Sequence, residues 1–310
     1  MSDHHHSIRI DAVIVSYCSA ATLRDCVEPL ARLPHVRVTV IDNASPDDPL
    51  ATIADLPVTA VRSSVNGGFA YGCNAGMAQG DAPYVLFLNP DASIDGPALD
   101  ALAAVLDADP AVGLVGPRIL DDDGHLFESQ RRFPGVATAW GQALFLHRLI
   151  ARTDEMVKGE ARYAQPTEPD WVSGACMLAR RDALERIGGM DEGFFLYSED
   201  TDVCKALRDV GYTIRYEPAA TARHRGGASA PRAALLPVLA RSRARYALKH
   251  ASGLSAMLQI LGIAVGEATH VLARMTRTGY ARGHGAALLE VLRYRRPARL
   301  PRVTLDAQAP

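Results

Sequence analysis

The 310-residue chain can hold one large domain or two modest ones, and its 48% apolar and 22% charged residues are those of an ordinary globular protein. That composition excludes a disordered chain, a collagen-like fibre and a disulfide scaffold. The net charge of −2 conceals an asymmetry: residues 1–222 hold 18 Lys and Arg against 32 Asp and Glu (−14), and residues 223–310 hold 15 against 3 (+12), so the tail suits an anionic surface or partner.

Met1–Ser7 is polar and lacks the apolar core of a signal peptide, and His4, His5 and His6 read as a leader or tag remnant. Ile8–Tyr17 is a run of β-formers that meets polar residues at Ser16 and Tyr17, the pattern of a buried strand opening into a loop. A helix is predicted over Thr22–Leu33, from the spacing of Leu23, Val27, Leu30 and Leu33. Val36–Asp42 is a second strand ending at Asp42-Asn43-Ala44-Ser45, and Val58–Arg62 a weaker third. Ala70–Gln79 reads as helix, and Tyr84–Leu88 as a buried strand ending at Asn89-Pro90-Asp91. Trp171–Arg180 reads as a strand and Arg181–Ile187 as a helix. Ser198–Val210 is expected to be a helix with Ser198 as N-cap and Gly211 past its end. Tyr212–Tyr216 is a short strand leading to Ala222-Arg223-His224, and from Pro231 to about Arg296 the chain looks helical. Repeated strand–helix alternation predicts an α/β fold whose parallel sheet is flanked by helices, with ligands at the carboxyl ends of the strands. The polar clusters after the strands of the first half lie at such ends.

Cys18, Cys26, Cys73, Cys176 and Cys204 are odd in number, scattered and without Cys-x-x-Cys spacing, which predicts free thiols. No apolar stretch is read as reaching the ~20 residues of a membrane span, so the expectation is a cytoplasmic protein.

The chemistry-bearing pieces are individually ambiguous. Asn66-Gly67-Gly68 enters a helix, and glycines there let a backbone approach phosphate. A plain turn explains them equally, and the Gly-x-Gly-x-x-Gly spacing of nicotinamide enzymes is missing. Asn89-Pro90-Asp91 is good turn chemistry, or a carboxylate for Mg²⁺ or Mn²⁺. Glu199, Asp200 and Asp202 in one helical turn complement the helix dipole, or include a general base. His224 is a surface histidine or a ligand.

Taken in order the pieces resemble glycosyltransferase family 2, the GT-A fold, and are most similar to its rhamnosyltransferase-like branch. The resemblance rests on Val13–Tyr17, Val40–Ser45, Asn66–Asn74, Phe87–Ala92, Trp171–Ala175, Gly188–Phe195, Tyr197–Asp202 and His224–Ser229. It implies a Rossmann-like, mixed and mostly parallel sheet over residues 8–230, followed by a basic helical C-terminal extension over 231–310. Asp42 would bind the pyrimidine base, with Ser16, Tyr17, Asn43, Asn66, Gly68 and Asn89 on the nucleotide. Asp91 and His224 would hold the metal, Mg²⁺ or Mn²⁺, on the diphosphate. Asp200 would be the base, with Glu199 beside it, and Arg131, Arg132, Trp171 and Gly174 would serve sugar and acceptor. Asn89 stands where the family's usual Asp-x-Asp motif has its first Asp, although the rhamnosyltransferase-like branch often reads Asn-Pro-Asp.

The implied reaction is an inverting transfer from a dTDP- or UDP-sugar, dTDP-L-rhamnose foremost, to a glycan or lipid-linked acceptor in bacterial surface polysaccharide synthesis. A UDP-hexose transferase and an inactive nucleotide-sugar binder are the alternatives. In the tail, Leu254, Met257, Leu258, Leu261, Val265, Ala268, Leu272 and Met275 share one helical face. That face packs on the catalytic domain or a second subunit, or lies peripherally on the inner face of the cytoplasmic membrane. Nucleic acid is not expected as a partner, because the basic tail lacks interleaved aromatics.

Overall fold

The computed structural model describes residues 7–226, 232–276, 278–294 and 306–307; His4–His6, and Gly227, Ala228 and Ser229 of the His224 segment, lie outside them. The first half contains β1 (Ile10–Ser16), α1 (Leu23–Ala31), β2 (Val36–Asp42), β3 (Thr59–Arg62), α2 (Phe69–Met77), β4 (Tyr84–Leu88), β5 (Ala92–Ile94) and α3 (Gly96–Ala108). Next come β6 (Val112–Leu120), β7 (Leu126–Phe127), β8 (Gln130–Arg131), α4 (Val136–Ala143), β9 (Trp171–Val172), β10 (Cys176–Arg180), α5 (Arg181–Arg186), α6 (Glu199–Asp209) and β11 (Thr213–His224). The tail adds α7 (Arg232–His250), α8 (Gly253–Ala273), α9 (Thr278–Arg293) and β12 (Asp306–Ala307).

The sheet runs β12-β3-β2-β1-β4-β10-β6-β11-β5, with β7 beside β6. The β3-β2-β1-β4 half is parallel, β10 is antiparallel to both β4 and β6, and β6 and β11 are parallel. Alternation along each buried strand builds two cores. Ile10, Ala12 and Ile14 of β1, with Leu86 and Leu88 of β4, face α1 and α3. Val13, Val15, Val85 and Phe87 face the other way, onto α2, α5 and α6. β1 sits between β2 and β4, where the strand order reverses, and that reversal opens a crevice at the carboxyl edge.

Four sequence expectations change. Trp171–Arg180 is two strands, because residues 173–175 leave the ladder to meet α6. Ser198 precedes α6 but makes no side-chain cap; its φ of +65° is left-handed, as is that of Tyr197 at +69°. The last strand continues from Thr213 to His224 through an irregularity between Glu217 and Thr221. Finally, one helix among the described residues, the 21-residue α8, is long and apolar enough to cross a membrane.

The tail helices pack through small residues: Ala240 of α7, Ala264 of α8 and Ala287 of α9 are buried together with Val291. α8 is held on two faces, one against α7 and α9 and one against α4, where Gly262 meets Ala139 and Trp140 Nε1 donates to the Leu258 carbonyl at 3.1 Å. The third face, Leu254, Met257, Leu261, Leu272 and Met275, is 51–70% exposed. Packing on the body therefore uses the other two faces. β12 returns to the sheet edge and pairs antiparallel with β3, so the extension is not wholly helical.

Candidate active site

Strand ends supply the first group of side chains. Asp42 closes β2 fully buried; Oδ1 accepts the Ser45 N–H at 2.9 Å, while Oδ2 lies 3.1 Å from Arg62 Nε without the alignment of a hydrogen bond. A buried carboxylate oxygen left in that state suits a ring N–H from a base. Ser16 closes β1 beside it and bonds Ser19 Oγ at 2.6 Å, and Tyr17, the next residue, is 40% exposed. Asn43 Nδ2 donates to the Gly68 carbonyl at 2.9 Å, and Asn66 Oδ1 accepts the Gly68 N–H at 3.1 Å. Both asparagines thus shape the turn. Gly68 has φ +89°, and a Cβ there would overlap the Phe195 carbonyl, so this position requires glycine.

At the end of β4 and β11, Asp91 Oδ1 lies 3.2 Å from His224 Nε2, and Asn89 Nδ2 lies 3.3 Å from the same nitrogen. Burial works to raise Asp91, but the His224 hydrogen bond and charge outweigh it, helped by the Asp91 and Gly226 N–H groups; its carboxyl falls below the usual range. A carboxylate, an imidazole nitrogen and an amide carbonyl form a donor set that fits Mg²⁺ or Mn²⁺. Asp121, Asp123 and His125 also group their ligand atoms within 4.8 Å, but two of the three are exposed on the β6–β7 turn, which Asp121 closes by accepting the His125 N–H.

The third group is the first turn of α6. Asp200 Oδ2 accepts the Gly174 N–H at 3.0 Å, and Oδ1 accepts the Thr201 N–H at 2.8 Å and its hydroxyl at 3.3 Å. Burial raises its pKa; those donors and the Arg131 charge pull the other way. Glu199 is buried, Oε2 has no partner, and burial together with the Asp200 charge pushes its carboxyl well above the ordinary range. Of this pair, Glu199 is held the further above its ordinary range.

The acceptor-side residues divide. Arg131 stacks at 5.9 Å over Trp171 and 5.8 Å over Phe127, on the Asp200 side. Arg132 is committed elsewhere: Nη1 donates to the carbonyls of Ala151, Asp154 and Met156. Trp171 Nε1 donates to the Arg132 carbonyl at 2.9 Å. Gly174 lies against Asp200, for a Cβ there would stand 3.1 Å from Asp200 Cβ. Arg132 and Gly174 thus each make a contact within the fold that the sequence reading did not give them.

Asn74 closes one of the matched motifs but was given no role there. Its amide bonds the Met190 carbonyl, the Met190 N–H and Glu192, tying α2 to the segment before α6. Asparagine inside a helix, where it is a poor former, was the available signal. Lys249 and His250, which hold Asp202, gave none.

The model of the family "Glycosyl transferase family 2" matches residues 11–188. An N-acetylglucosaminyl-diphospho-decaprenol L-rhamnosyltransferase of Mycobacterium tuberculosis is 31% identical over 210 residues, covering 63% of this chain and 68% of the relative. Rhamnosyltransferase WbbL of Escherichia coli is 26% identical, covering 68% and 81%. Among solved structures, a Pyrobaculum calidifontis mannosyltransferase in complex with GDP-Man and Mn²⁺ superposes with TM-score 0.57 at 17% identity, over 93% of this chain and 88% of that one. S. aureus TarS 1–349 with UDP-GlcNAc gives 0.54 at 16%, over 91% and 81%. These two show a shared GT-A fold.

Proposed function

The chain belongs to glycosyl transferase family 2, and from that premise we propose an inverting, metal-assisted transfer of a sugar, L-rhamnose from dTDP-L-rhamnose foremost, to a hydroxyl of a lipid-diphosphate-linked glycan. The observation that carries this reading is the gathering of Asp42, the Asp91–His224 pair and Asp200 at one edge of the sheet. The rhamnosyltransferase names of its relatives support the donor.

Asp42 and Ser16 take the base and the Gly68 turn the nucleotide, while Arg131 and Trp171 face sugar and acceptor. Asp200 accepts the proton of the acceptor hydroxyl as its oxygen attacks the anomeric carbon from the face opposite the diphosphate; the bond to the diphosphate oxygen breaks and configuration inverts. Glu199, protonated, adds no second negative charge beside the base. Asp91, His224 and Asn89 would hold Mg²⁺ or Mn²⁺, which supplies positive charge to the leaving diphosphate when bound. Positioning and electrostatics supply most of the rate. Asp91, Glu199 and Asp200 together favour an enzyme over an inactive binder.

The exposed stripe of α8 suits an anionic membrane surface, since residues 223–310 carry +12 and that face is apolar. α8 is fastened on two faces, so it lies along the membrane rather than across it, on the cytoplasmic side. A homodimer through the same stripe is the competing cover.

Nucleotide release from dTDP-, UDP- and GDP-sugars, with Mg²⁺, Mn²⁺ or EDTA, tests the proposal. Metal-dependent release from dTDP-L-rhamnose is expected. Release from a UDP-hexose alone would move the donor assignment, and release unaffected by EDTA would remove the metal.

A further inference from the structure

The last turn of α7 grips the helix that carries the base. Asp202, two residues after Asp200, is 2% exposed; it takes His250 Nε2 at 2.6 Å and Lys249 Nζ at 2.8 Å. Lys249 reaches Asp191 as well, at 2.9 Å, and Arg245 makes a two-oxygen contact with the same carboxylate at 2.7 and 2.8 Å. Ser242 Oγ donates to the Leu196 carbonyl at 2.8 Å, and the Arg245 and Lys249 cations stand over the Phe194 ring at 5.1 and 5.7 Å. α7 therefore holds both ends of the segment 191–202.

That segment needs holding. Tyr197 and Ser198 are non-glycine residues in the left-handed region, and such conformations persist only where the surroundings over-determine them. Ser198 stands immediately before α6, with the Asp202 N–H bonded to its carbonyl at 2.8 Å. The segment also touches the nucleotide turn, because the Phe195 carbonyl accepts the Phe69 N–H at 2.8 Å. A buried carboxylate held by a lysine ammonium and a histidine ring nitrogen from another element is a strong anchor, and removing one partner leaves the carboxylate under-compensated.

We infer that Lys249 and His250 are positioning residues for the transfer reaction: by fixing Asp202 they set the first turn of α6 so that Asp200 stays on the Gly174 N–H and faces the acceptor. The basic tail is then a working part of the active site. This rests on Asp200 being the base.

The test uses the full chain with Lys249→Met, His250→Ala, the conservative Lys249→Arg, and Asp200→Asn as reference. Expected for Lys249→Met and His250→Ala is a kcat lower by roughly 10- to 100-fold, with donor KM and nucleotide affinity within about twofold of the parent. Lys249→Arg recovers most of the kcat. Hydrogen exchange, which needs no turnover, should quicken at residues 196–202 in Lys249→Met. A kcat and an exchange pattern equal to the parent's overturn the inference. So does a loss that follows nucleotide affinity downward and that Lys249→Arg does not recover. Turnover retained in Asp200→Asn overturns the base assignment itself, whatever the tail variants do. Turnover lost there but kept at full speed in Lys249→Met overturns only the positioning role.

Discussion

Glu199 and Asp200 are neighbours on one helical turn, yet their surroundings separate them. Asp200 oxygens accept three hydrogen bonds, whereas Glu199 Oε2 accepts none. A folded-state pKa raised above the unfolded value means that stability from Glu199 is complete below its unfolded pKa and is lost as pH rises through the folded one. Glu199→Gln should accordingly flatten the fall in thermal unfolding temperature as pH rises above the ordinary glutamate pKa of about 4.3, and a fall as steep as the parent's would show that the Glu199 carboxyl is not raised in the folded protein. Gly68→Ala forces a Cβ at φ +89° against the Phe195 carbonyl; about 1–3 kcal/mol of destabilisation is expected from the backbone conformation, with weaker nucleotide binding by calorimetry. An unchanged unfolding temperature would contradict it. The family resemblance singled out Asp42, Asp91, Asp200 and His224, and the fold sets Asp42 and His224 at strand ends, Asp91 just past β4 and Asp200 in the first turn of α6. It did not separate Arg131 from Arg132, since which guanidinium turns onto carbonyls depends on the 151–156 loop folding over it.

At the scale of elements, buried parallel strands were legible as continuous apolar runs, and their carboxyl ends as abrupt polar residues. β1, β2 and β4 needed nothing more. The break between β9 and β10 was not legible, because Trp171–Arg180 is apolar enough for one strand and the interruption is fixed by a tertiary contact, Gly174 with Asp200. The absent side-chain cap at Ser198 has the same origin: the 191–198 segment is held from α7 and α2, which overrides local capping preference. On α8 the periodicity identified one apolar face, but which face would be covered depends on Gly262, Gly266 and Ala264 letting neighbours approach closely. Met257→Glu and Leu261→Glu lie on the uncovered face and should change stability by no more than about 0.5 kcal/mol. They should abolish sedimentation with vesicles containing anionic lipid. Undiminished sedimentation contradicts the membrane reading; loss of a dimer by light scattering supports the competing cover.

Across the whole molecule the charge asymmetry is partly answered within the chain. Arg243 meets Glu155, Arg245 and Lys249 meet Asp191, Lys249 and His250 meet Asp202, and Arg225 meets Asp25. The acidic body is therefore one partner of the basic tail, and a membrane competes only for the cations these pairs leave over. Composition revealed the asymmetry but not this use of it, because the pairs join residues 47 or more apart in sequence, far beyond any local pattern. The account as a whole turns on Asp200 as the base of the transfer. Its most direct test is donor turnover by Asp200→Asn beside the parent, with nucleotide affinity measured on both proteins. The account predicts turnover reduced by about 10²- to 10⁴-fold with nucleotide affinity unchanged; turnover within a few-fold of the parent would contradict it.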